Sequence, residues 1–313
     1  MPKLDASAQG VYLITVTPFR DDGALDLEST DRVTDFYLDK GATGLTVLGV
    51  MGEAPKLTTE ESRRYVKRVL DRVAGRVPVI VGVSSPGFAA MGELARSVMD
   101  LGAAGVMVGP AATVRTDDQA YNHFELAAET LGPATPFCVQ DHPLAFGVQL
   151  PAGVLVRIFK ALPTAVMLKH EDWPGPGLAK LAAMRAESDR GSMRRIAILA
   201  GNGGGLFLPE ELERGADGAM TGFGYPEMMV GVCAAHAAGE RERARDIFDA
   251  YLPLARYEQQ AALGLAVRKY LLAKRGAIAS AALRKPGPKL SAADIADIER
   301  LVERQRRRLE EIA

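Results

Sequence analysis

Eight short apolar runs recur along the first two-thirds of the chain, each followed by a longer stretch with helical spacing. They cover 11–17, 44–48, 78–83, 104–108, 136–140, 165–169, 196–200 and 218–221. Each is apolar almost without interruption, as strands buried on both faces must be, which predicts a parallel sheet. Between them lie amphipathic stretches with their own stop and start signals. One covers 27–40 and halts at Gly41; another is capped by Thr58 or Thr59, with Glu61 or Ser62 in its first turn. Two more, 88–101 and 117–131, end before Gly102 and Gly132. Eight β-then-α units predict a (β/α)8 TIM barrel over residues 1–225. A doubly wound sheet is the competing arrangement, but its glycine fingerprint is absent after the first run, which continues into TPFRDDG.

Composition narrows the class further. Of 313 residues, 38 are Lys or Arg and 39 Asp or Glu, a net charge of -1 that leaves no footprint for nucleic acid. No apolar run reaches the ~18 residues that cross a bilayer, so no membrane partner is expected. The start, MPKLDASAQG, lacks the apolar core of a signal peptide. Cys138 and Cys233 form neither a metal-ligand pattern nor a disulfide framework, which fits a reducing cytoplasm.

Beyond residue 225 the strand signal stops, and 226–313 is expected to be a helical region. It is broken at RKPGPK, 284–289, and resumes with Ser291 capping and Asp294 three positions on. Ile295, Ile298, Val302, Leu309 and Ile312 form one apolar stripe. Arg306–Arg308, beside Glu310 and Glu311, reads as a solvated face.

Active sites of such barrels lie at the C-terminal ends of the strands. Lys169 ends the sixth run, sharing by alternation a face with Met167 and Ala165. It either snorkels to the surface or enters the barrel mouth, where desolvation would lower its pKa and leave a free amine to attack a ketone. Gly49–Glu53 is either an ordinary turn or a cradle of backbone N–H groups for a carboxylate. The glycine run 201–205 invites a phosphate reading but lacks the Walker lysine. The segment 170–177, HEDWPGPG, is a stiff loop that selects a substrate's far end or folds over the rim. Lys169, His170, Glu171 and Asp172 together suggest a metal, yet neighbours on a strand face opposite ways, and no metal is expected.

TPF at 17–19, GxxGE at 49–53, Gln140–Asp141–His142–Pro143, Lys169 and the broken LRKPGPKL tail together resemble the dihydrodipicolinate synthase/N-acetylneuraminate lyase family across nearly the whole chain. The resemblance implies a barrel with a helical C-terminal region, commonly tetrameric and so a homo-oligomer, tetramer or dimer. It also implies a Schiff base between Lys169 and pyruvate or another 2-oxo acid, with no cofactor. Val50 and Met51 would hold the substrate carboxylate, and Gly201 and Met220 would line the oxo-acid pocket.

The departures are as informative. Val50 and Met51 stand where the family usually has hydroxyl residues, Gln140 stands at the family tyrosine, Ala112 at a second tyrosine and Ala145 at a substrate-binding arginine. Gln140 cannot titrate near neutral pH, so proton transfer must fall to His142, His170, Glu171 or Asp172, with His142 the first choice. The expected activity is a Schiff-base lyase or aldolase on a 2-oxo acid, but not an efficient dihydrodipicolinate synthase. A sugar-acid hydratase or dehydratase, or an oxo-acid-binding protein without turnover, are the alternatives.

Overall fold

The computed structural model describes residues 3–173 and 175–312. Its strands are β1 (Gly10–Ile14), β2 (Gly44–Val47), β3 (Val79–Gly82), β4 (Gly105–Val108), β5 (Phe137–Asp141), β6 (Ala165–His170), β7 (Ala197–Ala200) and β8 (Gly218–Ala219). They pair in chain order, all parallel, and β8 returns to β1 to close a barrel. The seam is tight: a Cβ on Gly218 would lie 1.9 Å from the Gly10 carbonyl oxygen, so only glycine fits there. The first strand is shorter than expected because 15–17 peel away. Thr15 pairs with the Tyr65 hydroxyl at 2.9 Å, and the Thr17 hydroxyl donates to the Gly52 carbonyl at 2.6 Å.

The ring of helices consists of α1 (Leu27–Asp39), α2 (Thr59–Val73), α3 (Phe88–Asp100), α4 (Asp117–Leu131), a one-turn α5 (Pro143–Phe146), α6 (Ala152–Ala161), α7 (Gly177–Asp189), α8 (Leu208–Glu213) and α9 (Glu227–Ala237). Thr58 caps α2 in a reciprocal box with Glu61. Because α9 packs on β1 and β8, a boundary at 225 separates the last strand from its own helix. The appended helices are α10 (Arg241–Glu258), α11 (Gly264–Lys274) and α12 (Ala292–Glu311).

Strand alternation divides the core in two. Tyr12, Ile14, Ile80, Met107, Cys138, Met167, Leu199 and Met220 fill the barrel, closed below by Leu4. Val11, Leu13, Val81, Val139, Leu168 and Ile198 face the helices. Lys169 and Gln140 therefore point inward, while His170 and Asp141 point outward. Ala165 departs from the expected shared face with Lys169 and joins the outer core. The β5–β6 register slips between Phe137 and Cys138, and such an irregularity reverses the facing of everything before it.

The C-terminal region is locked onto the barrel mouth. Lys269 of α11, fully buried, donates to the Thr17 carbonyl at 2.8 Å, Glu53 Oε1 at 2.6 Å and the Ala282 carbonyl at 2.9 Å. Arg284, in the broken segment, grips both oxygens of Glu61 at 2.6 Å. Ser291 caps α12 as expected; Ile298 is buried, with Val302, Leu309 and Ile312 packed beside it. Arg306 pairs with Glu303 and Glu310 in solvent.

Candidate active site

Lys169 does not snorkel. Only 4% of it is exposed, and its Nζ lies 2.7 Å from Glu171 Oε2. Gln140 donates its amide to the same oxygen at 2.9 Å. His142 Nδ1 stands 3.5 Å from Glu171 Oε1, close but without hydrogen-bond geometry. Burial lowers the His142 pKa, partly offset by Glu171, so the ring is neutral near pH 7. Of the four candidate proton carriers, Glu171 alone touches the lysine. It reaches inward because the chain leaves β6 after His170, and Gly201 leaves space for it. A Cβ on Gly201 would fall 2.3 Å from Glu171 Cγ and 3.0 Å from Lys169 Cγ.

His170 and Asp172 belong to a second network on the outer side of the sheet. Lys180 of α7 donates to Asp141 Oδ2 at 2.8 Å and stands 2.9 Å from Asp172 Oδ2, so an ammonium already sits between these carboxylates. His170 Nε2 pairs with the Gly177 carbonyl at 2.8 Å. Burial opposes charge on His170, but Asp141, Glu211 and that carbonyl outweigh it and raise its pKa. Glu211 is pushed up to about 7, chiefly by burial. Its Oε1 meets the Asn202 amide at 3.5 Å. Among the described residues no His, Cys, Asp and Glu side chains are grouped to hold a metal.

The GxxGE segment forms a turn of 3-10 helix, Val50–Gly52, bracketed by Leu48 and Glu53, both at a φ of 54°. Non-glycine residues in this left-handed region are costly and concentrate at functional sites. The first N–H groups of such a turn have no partner within it, so those of Val50 and Met51 are free to bind an anion. Glu53 holds the turn from behind, with Oε1 on Lys269 and Oε2 on Lys56 at 2.8 Å and on the Arg284 N–H at 3.1 Å.

Val50, Met51, His142, Lys169, Glu171 and Asn202 line one cavity of about 350 Å³ at the C-terminal end of the barrel. Exposed Val50, Leu144 and Trp173 rim it, and Trp173 rests on Phe207 with ring centroids 5.0 Å apart. In the loop 170–177, Pro174 lies outside the described residues. Gln140 and Gly201 act from beneath, through Glu171. Met220 is fully buried in the barrel core, with its sulfur 4.0 Å from Cys138 Sγ, and does not reach the cavity. Arg115, the arginine nearest Ala112 in the chain, does not replace the missing groups: it turns back onto the Val114 carbonyl at 2.7 Å and does not line the cavity. Sequence reasoning missed Arg256, Gln259 and Arg268, which line the cavity from the C-terminal helices. One signal was present: Arg268 and Lys269 are adjacent cations in the middle of GLAVRKYLLA, 264–273, with apolar residues on both sides.

An inward, buried lysine on the sixth strand of a closed barrel, with an N–H turn lining the same cavity, fits the Schiff-base lyase class of barrels. The profile of the Dihydrodipicolinate synthetase family matches residues 7–305, and the chain belongs to that family, whose members are lyases. The L-2-keto-3-deoxyarabonate dehydratase of Azospirillum brasilense is 32% identical over 291 residues, spanning 90% of this chain and 89% of its own. The 4-hydroxy-tetrahydrodipicolinate synthase of Thermotoga sp. strain RQ2 is 30% identical over 251 residues, 79% of this chain and 82% of its own. A crystal structure of dihydrodipicolinate synthase from Rhodopseudomonas palustris superposes with a TM-score of 0.94 at 48% identity, covering 97% of this chain and 100% of that one.

Proposed function

We propose that the protein is a Schiff-base lyase for a 2-oxo acid in which Glu171 carries the protons that the family resemblance assigns to tyrosine. The observation that carries this reading is the 2.7 Å contact between Lys169 Nζ and Glu171 Oε2 inside the cavity. Glu171 takes a proton from the ammonium, freeing the amine to attack the C2 carbonyl while the Val50 and Met51 N–H groups hold the C1 carboxylate. Glu171 returns that proton to the C2 hydroxyl, which leaves as water, and the iminium draws electrons from C3. In aldol cleavage Glu171 accepts the C4 hydroxyl proton as the C3–C4 bond breaks. The aldehyde departs and the enamine is protonated at C3.

Loss of water is the second reading, favoured by the similarity to the Azospirillum dehydratase. Here Glu171 removes a C3 proton and returns it to the departing C4 hydroxyl, and hydrolysis of the conjugated iminium frees the lysine. Both routes need one titratable group beside the imine nitrogen, and Gln140 serves by fixing it. A homo-oligomer and a cytoplasmic location complete the proposal. Leu101, at the end of α3, and Leu126, on the neighbouring α4, are exposed, and they are apolar surface that a second copy would cover. Light scattering of the purified protein measures the assembly.

The experiment is borohydride reduction in the presence of pyruvate and a panel of longer 2-oxo acids, followed by peptide mass spectrometry. A reduced adduct on the Lys169 peptide is expected, and absence of any adduct across the panel overturns the reading.

A further inference from the structure

Two residues that line the cavity each carry a buried donor with no partner among the described residues. Arg268 commits Nε to Glu258 Oε1 at 2.7 Å and Nη2 to the Gly222 carbonyl, while its Nη1 is buried and unpaired. Gln259 likewise leaves Nε2 buried without an acceptor. Arg268 is itself only 1% exposed, so its position is fixed by the fold rather than by solvent. Orphaned buried donors are destabilising and are retained where something else satisfies them.

The surroundings point to what that is. Both residues line the cavity that holds Lys169, and Arg256 adds an exposed guanidinium on the same wall. Of the four charged side chains on the lining, Lys169 pairs with Glu171 and Arg268 with the buried Glu258 behind it, so Arg256 leaves the wall with one uncompensated positive charge. The glycine loop after β7 is shaped around this wall: a Cβ on Gly203 would fall 1.7 Å from Gln259 Oε1. A Cβ on Gly222 would fall 2.5 Å from Arg268 Nη1. Two unpaired N–H donors on a wall that also carries the Arg256 charge call for an anionic acceptor, and a carboxylate has an oxygen for each.

We propose that Arg268 and Gln259 form a second carboxylate subsite, so that the substrate is a 2-oxo dicarboxylic acid, one end on the Val50–Met51 turn and the other on the C-terminal helices. The assignment rests on the Lys169-centred reading for the first end and on the orphaned donors for the second. The helices after the barrel then have a chemical role, since they select the far end of the acid.

The test has two arms. In the first, non-reactive acids are titrated calorimetrically into the intact protein, glutarate and adipate against butyrate and hexanoate, so that no imine is needed. The diacids are expected to bind about tenfold more tightly, as one charge-assisted contact provides. In the second, borohydride trapping on Lys169 is compared for 2-oxoglutarate and 2-oxoadipate against 2-oxobutyrate and 2-oxohexanoate. The same preference is expected. The Gln259→Leu variant, and separately Arg268→Lys, whose folding is checked by circular dichroism, should bring the diacid-to-monoacid ratio close to one. Equal binding of diacids and monoacids by the wild type, or a preference that survives both variants, overturns the proposal. Preference in the first arm with no trapping in the second overturns the Schiff-base reading alone.

Discussion

Lys169 Nζ and Glu171 Oε2 lie 2.7 Å apart at the barrel mouth, and the same carboxylate oxygen accepts the Gln140 amide at 2.9 Å. One carboxylate is thereby fixed beside the reacting amine by a residue that cannot itself titrate. Glu171→Gln keeps the shape and removes the proton carrier. Its kcat should fall by about 10²–10⁴, while borohydride still traps the oxo acid on Lys169. Glu171→Asp should recover part of the rate. Unchanged turnover in Glu171→Gln would assign the proton transfers to another group, His142 first.

Gly201 has no side chain because Glu171 occupies that space, with Cγ 2.3 Å from where a Cβ would be. Gly201→Ala must push the carboxylate off Lys169. Displacement by about 1 Å can cost 10²-fold in rate, whereas overpacking costs about 1–3 kcal/mol of stability. The expected variant is folded, somewhat destabilised and far slower. Steady-state kinetics beside a urea melt separates the two effects.

The Glu53–Lys269 pair ties the Val50–Gly52 turn to α11, with both side chains almost wholly buried. Lys269→Met would leave Glu53 with its remaining contacts to Lys56 and the Arg284 N–H but without its buried cation. Breaking one side of such a pair costs about 3–5 kcal/mol. The double variant Glu53→Gln/Lys269→Met should be more stable than Lys269→Met alone, because no buried charge is left behind. Chemical denaturation of the three proteins reads this, and equal stability of the single and double variants would rule the account out.

Glu211 predicts a direction for the pH dependence of stability. Its ordinary value of 4.5 rises to about 7 in the fold, so between these values the folded chain holds a proton that the unfolded chain has lost. Stability therefore falls as pH rises through that interval, by about 1.4 kcal/mol per unit at most, and levels off above it. His170, also raised, extends the fall with the same sign above its ordinary value of 6.5. Glu211→Gln should flatten the decline between pH 5 and 7 in thermal melts, leaving only the histidine's part, itself reduced because Glu211 is one of the groups that raise His170.

The barrel was legible because its strands are short, apolar and separated by capped helices, so periodicity and Gly/Thr punctuation agree at every step. Lys169 was legible as a charge at the end of such a strand. Glu171 was visible only as one of four candidates, since its inward turn depends on the chain leaving β6 and on the space above Gly201, neither of which is a local pattern. The bulge that turns Ala165 outward leaves no mark in the sequence, nor does the depth at which Met220 sits. Arg268 and Gln259 lie ninety residues or more from Lys169 in the chain, and only the folding of α10 and α11 over the mouth brings them into its cavity. Adjacent cations in an apolar helix were the available hint, and they signal burial with a partner rather than which partner.

The family resemblance implies that condensing pyruvate with aspartate semialdehyde uses a hydroxyl relay and an arginine beyond the fifth strand. The same resemblance sets Gln140 and Ala145 at those places and Ala112 and Val50 at the other relay positions, and Arg115 is turned back onto the Val114 carbonyl, away from the cavity. The cations that do line the cavity, Arg256 and Arg268, approach from the C-terminal helices, so a carboxylate bound there is differently placed relative to Lys169. A charge-assisted contact in the wrong position forfeits its ~1.5–3 kcal/mol, and a misplaced relay forfeits about 10²–10⁴ in rate. In a coupled assay with pyruvate and aspartate semialdehyde, turnover should lie at least about a hundredfold below that of an authentic synthase measured alongside. Comparable turnover would mean that Glu171 and Arg268 together replace the lost relay and grip, and the Glu171→Gln variant in the same assay would then show the loss directly.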